Sequence, residues 1–205
     1  MAVLLLLTPA APASARVIPP VLDFNGAVGW GENANGQVGD ATTVDRDTAT
    51  RVYGLTTGVK QVAAGGMHSL ALLTNGTVRA WGYNRNGQLG DGTTTQRTTP
   101  VTVLELTGVT QVAAGSNYSM ALRSDGTVWT WGFNTNGELG DGTIVSRSAP
   151  AQVPGLAGVT QIAAGSHAVL ALRSDRTVWA WGANGVGQLG DGSTTDRLSP
   201  VPVSG

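Results

Sequence analysis

The sequence predicts an all-β fold in which four-stranded antiparallel blades pack face to face around a ring, present here as an incomplete arc. Three observations lead there. First, the stretch Trp81-Gly82-Tyr83-Asn84-Arg85-Asn86-Gly87-Gln88-Leu89-Gly90-Asp91-Gly92 recurs from Trp131-Gly132-Phe133-Asn134 to Gly137-Glu138-Leu139-Gly140-Asp141-Gly142, and from Trp181-Gly182-Ala183-Asn184 to Gly187-Gln188-Leu189-Gly190-Asp191-Gly192; a weaker copy runs from Trp30 to Asp40. The tryptophans stand 51, 50 and 50 residues apart, and a fixed period of that size marks a repeat architecture. Second, each repeat divides into four short apolar stretches separated by turn residues. Third, both faces of these stretches carry apolar or small residues, with Val128 and Thr130 on one and Trp129 and Trp131 on the other. Sheets covered on both sides read this way, and stacked blades cover them.

Residues 1–20 stand apart. Ala2-Val3-Leu4-Leu5-Leu6-Leu7 is a short apolar core, Thr8-Pro9 breaks it, and Ala13-Ser14-Ala15 offers a small-residue cleavage site. This pattern is that of a secretory signal peptide, although the basic leading region is absent. The segment is therefore set outside the fold as signal-peptide-like or disordered, and the repeats are assigned residues 21–205. Export would start the mature chain near Arg16 and place it in the cell envelope or outside the cell; without cleavage the protein is cytoplasmic.

The repeats begin in mid-phase. Asn25-Gly26 is a hairpin turn, followed by the strand Ala27-Val28-Gly29-Trp30; the equivalent turns are Asn75-Gly76, Asp125-Gly126 and Asp175-Arg176. Asn-Gly favours a type I′ turn, so positive φ is expected at these positions, including Arg176. A loop then runs from each Asp to a Pro: Asp91 to Pro100, Asp141 to Pro150, Asp191 to Pro200. An Arg follows each Asp six residues on, at Arg46, Arg97, Arg147 and Arg197. The pairing reads as a repeated loop-stabilising Asp–Arg contact; the sharper reading is an anion-binding ring of arginines on one rim.

Pro100-Val101-Thr102-Val103 reads as the outermost strand, where a missing N–H does no harm. Gln111-Val112-Ala113-Ala114-Gly115, matched by Gln61–Gly65 and Gln161–Gly165, has small side chains suited to a crowded innermost position. Ser119-Met120-Ala121-Leu122 and the Trp strand complete the unit. Each Trp would bury about 150–250 Å², which makes the tryptophans the packing pins between blades.

Composition removes several classes of function. The formal net charge is −1, so no field attracts nucleic acid. No apolar run reaches the length of a membrane span. There is no Cys, hence no disulfide, thiol catalysis or thiolate metal site. No Ser-His-Asp order, paired-carboxylate cleft or phosphate loop stands out, so no enzyme, catalytic residue or cofactor is assigned. Asn84-Arg85-Asn86-Gly87 has too few carboxylates, and its Gly too early, for a calcium loop; these residues read as turn formers. The sequons Asn75-Gly76-Thr77 and Asn117-Tyr118-Ser119 fall in tight turns and strands and carry no weight as glycosylation sites.

Trp-Gly-x-Asn-x-x-Gly-Gln-Leu-Gly-Asp-Gly, followed by Val-Ala-Ala-Gly-x-x-x-Ser-x-Ala-Leu, resembles the regulator of chromosome condensation repeat over about residues 25–205. The resemblance implies a β-propeller, usually of seven blades. It implies a His before the Ser, which only His68 supplies; Tyr118 and Ala168 replace it, and His167 is shifted by one. Family members include a secreted bacterial propeller that inhibits β-lactamases, which implies a non-enzymatic, secreted or cell-surface scaffold binding a protein through its rim loops. The eukaryotic namesake implies guanine-nucleotide exchange on a small GTPase as an alternative, although no long loop or wedge interrupts these repeats. A structural module of a longer surface protein is the third reading. The strands amount to half a blade plus three full ones, too few for seven, so the chain reads as a fragment of a longer protein, an incomplete reading frame, or a unit that completes a ring with another copy, its open blade edges offering a route to self-association.

Overall fold

The computed structural model describes residues 3–6 and 26–204. Every regular element among them is a β-strand. The first sheet holds β1 (Val3–Leu6), β2 (Ala27–Gly31) and β3 (Arg46–Arg51), in that order. The second blade holds β4 (Val59–Ala64), β5 (His68–Leu73), β6 (Val78–Gly82) and β7 (Arg97–Thr102). The third holds β8 (Val109–Ala114), β9 (Tyr118–Arg123), β10 (Val128–Gly132) and β11 (Arg147–Gln152). The fourth holds β12 (Val159–Ala164), β13 (Ala168–Arg173), β14 (Val178–Gly182) and β15 (Arg197–Pro202). Each blade is an antiparallel meander in chain order, as the turn spacing requires.

β4, β8 and β12 are the inner edges. Gln61 of β4 reaches across to the next blade, donating from Nε2 to the Val112 carbonyl at 2.9 Å and accepting the Val112 N–H on Oε1 at 3.0 Å. Gln111 makes the same pair with Ile162, at 2.8 and 3.0 Å. Inner strands this close leave room for Val-Ala-Ala-Gly and little more.

The core lies between blades rather than within them. Leu70, Leu72, Val78 and Ala80 of the second blade pack with Val112, Ala121 and Trp131 of the third. Met120, Leu122 and Val128 of the third pack with Ile162, Val169 and Trp181 of the fourth. Stacking thus buries both faces of each internal sheet, which is why neither face carries a polar stripe.

Two expectations are corrected. The outer strands begin at Arg97, Arg147 and Arg197, not at the prolines: Gly82 pairs with Arg97, and a register shift between Ala80 and Gly82 places Pro100 in an irregular, outward edge where no ladder bond is lost. The hairpin turns are not type I′. Asn75, Asp125 and Asp175 do not have positive φ; only Gly76, Gly126 and Arg176 do, at 77°, 77° and 69°. Gly76 N–H bonds the Leu73 carbonyl at 2.9 Å, and Asn75 Oδ1 accepts from Thr77 N–H and Oγ at 3.1 and 2.7 Å. The side chain of Asn or Asp folds onto the residue two along, so a single left-handed residue suffices. Val3–Leu6, within the segment that the sequence sets apart from the repeats, pairs antiparallel with residues 27–30 as a third strand of the first sheet. The Ala13-Ser14-Ala15 site, the expected start near Arg16 and Asn25 of the first turn lie outside the described residues.

Candidate functional site

One rim of the arc carries the loops between the Trp strand and the outer strand, and each loop is built on its Asn. Asn84 is fully buried. Its Nδ2 donates to the Thr95 and Thr93 carbonyls at 3.0 and 3.1 Å and to Asp91 Oδ1 at 3.2 Å, while its Oδ1 accepts the Leu89 N–H at 2.9 Å. Asn134 and Asn184 repeat this set, and so does Asn33 in the weaker copy. One amide thereby satisfies backbone groups from both arms of the loop, which fixes its path.

The Asp closes the loop. Asp91 Oδ1 accepts from Thr93 N–H and Oγ at 3.0 and 2.7 Å, and Oδ2 accepts from Arg97 Nε at 2.9 Å. Asp191 meets Arg197 Nε, and Asp40 meets Arg46 Nε, each at 2.6 Å; Asp141 pairs with Arg147. Burial pushes the Asp91 carboxyl up, but the bonds from Thr93 and Arg97 outweigh it and hold it below the usual carboxylate range; Asp40 and Asp141 behave alike. Asp191 is held lower still, first by Arg197 and then by Ser193.

The four arginines therefore each sit in an ion pair within their own loop, with side chains 31–37% exposed. The structure brings Asn, Asp and Arg of one repeat together and joins no Arg to another loop's Arg. Among the described residues, no group of three or more His, Cys, Asp or Glu could hold a metal ion, and no helix is long and apolar enough to cross a membrane.

The glycines of the motif set how loop and neighbour meet. Gly87 has φ 80°, and a Cβ there would lie 2.5 Å from Ser148 Cα of the next blade. Gly137 stands in the same way against Leu198. Gly92 and Gly142 N–H then donate to the Ser148 and Leu198 carbonyls at 2.9 and 2.8 Å. Trp81, Trp131 and Trp181 are fully buried, and each donates Nε1 at 2.9 Å to the preceding blade, to the carbonyls of Gln37, Gln88 and Glu138. Trp30 differs, being only half-buried.

What the loops present outward varies while their backbone does not. Ile144 and Val145 stand exposed where the other full repeats have Thr94-Thr95 and Thr194-Thr195. Val44 is exposed in the first loop and Val186 in the fourth. Between the third and fourth blades, Glu138, the one acid in place of Gln, is fully buried. It meets His167 Nδ1 at 2.9 Å, and the His167 ring stands edge-on to Phe133 with centroids 6.1 Å apart. Sequence reading missed this cluster; the Gln-to-Glu change beside a His shifted by one position was its signal.

A family profile described as the RCC1-like domain matches residues 21–205. Among curated proteins, the chain is 38% identical over 73 residues to the human probable E3 ubiquitin-protein ligase HERC4, covering 35% of this chain and 7% of that one. It is 37% identical over 75 residues to the ultraviolet-B receptor UVR8 of Arabidopsis thaliana, covering 36% and 17%. The chain thus matches less than a fifth of the length of these relatives. Among solved structures, yeast RCC1 (Prp20) bound to Kap60 aligns with TM-score 0.77 at 23% identity, covering 88% of this chain and 45% of that one. Prp20p of Saccharomyces cerevisiae, described with its binding properties to Gsp1p and histones, aligns with TM-score 0.75 at 22% identity, covering 88% and 47%. At that identity the likeness establishes the fold.

Proposed function

Because the chain belongs to the RCC1-like domain family, we propose that it is a non-enzymatic protein-binding module whose partner docks on the rim of Asn-anchored loops. One observation carries this reading: the loop backbone is pinned from inside by Asn84, Asn134 and Asn184, while exposed tips differ from repeat to repeat. A fixed backbone lowers the ordering entropy a partner must offset, and exposed Ile144 and Val145 offer it apolar contact. That the yeast RCC1 structure was solved with Kap60 bound supports the same class of function. The test is a pull-down with the wild-type chain and with an Ile144→Asp/Val145→Asp variant. A protein retained by the first and lost from the second, with thermal unfolding unchanged, supports the reading; equal retention by both sinks it.

The same reading places the module outside the cytoplasm, on the strength of the apolar run Ala2–Leu7 followed by Ala13-Ser14-Ala15. Processing after Ala15 would remove Val3–Leu6 and free the edge of β2 that they cover. N-terminal sequencing of the protein recovered from an exporting host decides: a start near Arg16 supports export, and an intact Met1 on cytosolic product refutes it.

A further inference from the structure

The outer ends of the blade junctions are not alike. Between the second and third blades, Arg123 lies over the Trp129 ring, its Cζ 5.6 Å from the centroid, and its Nε donates to the Thr107 carbonyl at 3.0 Å. Between the third and fourth, Arg173 repeats this with Trp179 at 5.7 Å and the Ala157 carbonyl at 2.9 Å. Each arginine also meets the acid of its own turn, Asp125 at 3.7 Å and Asp175 at 3.2 Å. Between the first and second blades all three residues differ: Leu73 stands for the arginine, Arg79 for the tryptophan and Asn75 for the acid. The loop entering the second blade is also one residue longer, Leu55-Thr56-Thr57-Gly58 against Leu106-Thr107-Gly108.

These changes leave a hollow inside the run of repeats. Tyr53, Leu55, Leu73, Arg79, Thr99 and Pro100 wall a cavity of about 300 Å³, at the lower end of the range for small-ligand pockets. Arg79 donates from one terminal nitrogen to Thr102 Oγ1. No carboxylate among the described residues pairs with it. Much of its fork of donors is thus left for a ligand. Arg79 is the one basic residue on the wall. A single cation suits a monoanion better than a phosphate, and its planar fork matches a carboxylate. Leu55, Leu73 and Pro100 add apolar contact, and Tyr53, 65% exposed, adds a ring.

We propose that this hollow binds an aromatic carboxylate, the carboxylate on the Arg79 guanidinium and the ring against Leu73 and Pro100. The protein supplies its own template for the ring. At the two junctions that Trp129 and Trp179 close, a planar ring lies against a guanidinium. Here the cation remains and the ring is missing. The chemistry is that of a free aromatic acid or of a peptide whose last residue is aromatic. None of the lining residues belongs to the loop tips, so this site stands or falls apart from the protein-binding reading.

Calorimetric titration of the full chain with indole-3-acetate tests the inference. Wild type should bind with Kd of about 1 mM or tighter, and 3-methylindole, which lacks the carboxylate, at least about tenfold more weakly. The Leu73→Arg/Arg79→Trp variant gives the second blade the residues of the third and fourth. It should fold as they do and lose at least about tenfold in affinity for the acid. Arg79→Gln should keep the hollow but bind the acid no better than 3-methylindole. A tripeptide ending in Trp, with free and with amidated carboxyl, separates the two sources. Tighter binding of the free-ended peptide than of indole-3-acetate assigns the site to a chain end; the reverse assigns it to a free acid. No binding of either acid by wild type overturns the proposal. So does equal binding by wild type and the double variant, or by the acid and 3-methylindole. If the double variant loses cooperative unfolding, Arg79→Gln decides alone.

Discussion

His68 of the second blade donates from Nε2 to Ser119 Oγ of the third at 2.9 Å, and the Ser119 hydroxyl in turn donates a hydrogen bond to the Gln88 carbonyl at 2.8 Å. The direction follows from the serine, whose one proton is already committed. His68 Nδ1 is then the bare ring nitrogen, buried and without a partner among the described residues. A second proton would have to sit there, in an apolar junction. Burial accordingly lowers the His68 pKa from 6.5 to about 4.

This makes the junction pH-sensitive. The unfolded chain takes up a proton as pH falls through 6.5, and the folded chain resists until about 4. In that window the unfolded state binds more protons, so stability falls with falling pH. The loss should reach about 2 kcal/mol by pH 5 relative to neutrality. Denaturant midpoints at pH 7.5 and pH 5, as rough brackets of the window, should differ for wild type and draw together in His68→Gln. Equal pH slopes in the two proteins would contradict the assignment.

Asn84 gives a second prediction. Removing its amide strands the buried Leu89 N–H and the carbonyls of Thr93 and Thr95, which no other side chain reaches in the described structure. Asn84→Ala should cost about 2–3 kcal/mol. Asn84→Asp should do no better despite its shape, because a carboxylate there faces Asp91 and two carbonyls. Rescue by Asp, read from the urea midpoint, would mean that shape rather than donation holds the loop.

Much of this was legible because repetition averages out local ambiguity. Four aligned tryptophans located the blades, and small residues in Val-Ala-Ala-Gly marked the inner edge. Other features were hidden for stated reasons. Pro100 reads as a strand start, since the bulge that tolerates it leaves no mark in composition. The Gln61–Val112 bridge joins residues 51 positions apart in separate sheets, so no local pattern announces it. The apolar run Val3–Leu6 has the same composition whether it is a signal core or a strand.

Three non-glycine residues lie in the left-handed region: Ala41 at φ 69°, Glu105 at 50° and Arg176 at 69°. Each stands where the other repeats have glycine: Gly92, Gly142 and Gly192 for Ala41, Gly54 and Gly155 for Glu105, Gly76 and Gly126 for Arg176. Relief of the strain outweighs the added freedom of the unfolded chain, so each change to Gly should stabilise by about 0.5–1 kcal/mol. The sites are in different blades, and the three gains should add. A triple variant with a lower thermal midpoint than wild type would refute the account.

The last prediction concerns Gly115 and Tyr118. Tyr118 occupies the position that His68 holds in the second blade and likewise reaches across to the next, its one O–H shared between the Gly165 and Ala168 carbonyls, at 2.9 and 3.0 Å. The ring is buried and lies over its own inner-strand turn, so closely that a Cβ on Gly115 would fall 2.0 Å from Cε1. That shared hydrogen bond holds the ring there, so it cannot swing aside without giving up its contact with the fourth blade. Gly115→Ala should cost about 2–3 kcal/mol through overpacking. Gly165→Ala, which faces Ala168 with its nearest contact at 3.1 Å, should cost much less. The discriminating measurement is the double variant. Tyr118→Ala alone removes a buried aromatic and should lose about 3–5 kcal/mol. In that background Gly115→Ala should add almost nothing, because the atom it struck is gone. If the two losses simply add, the ring is not what requires glycine at position 115, and the backbone of the turn must be.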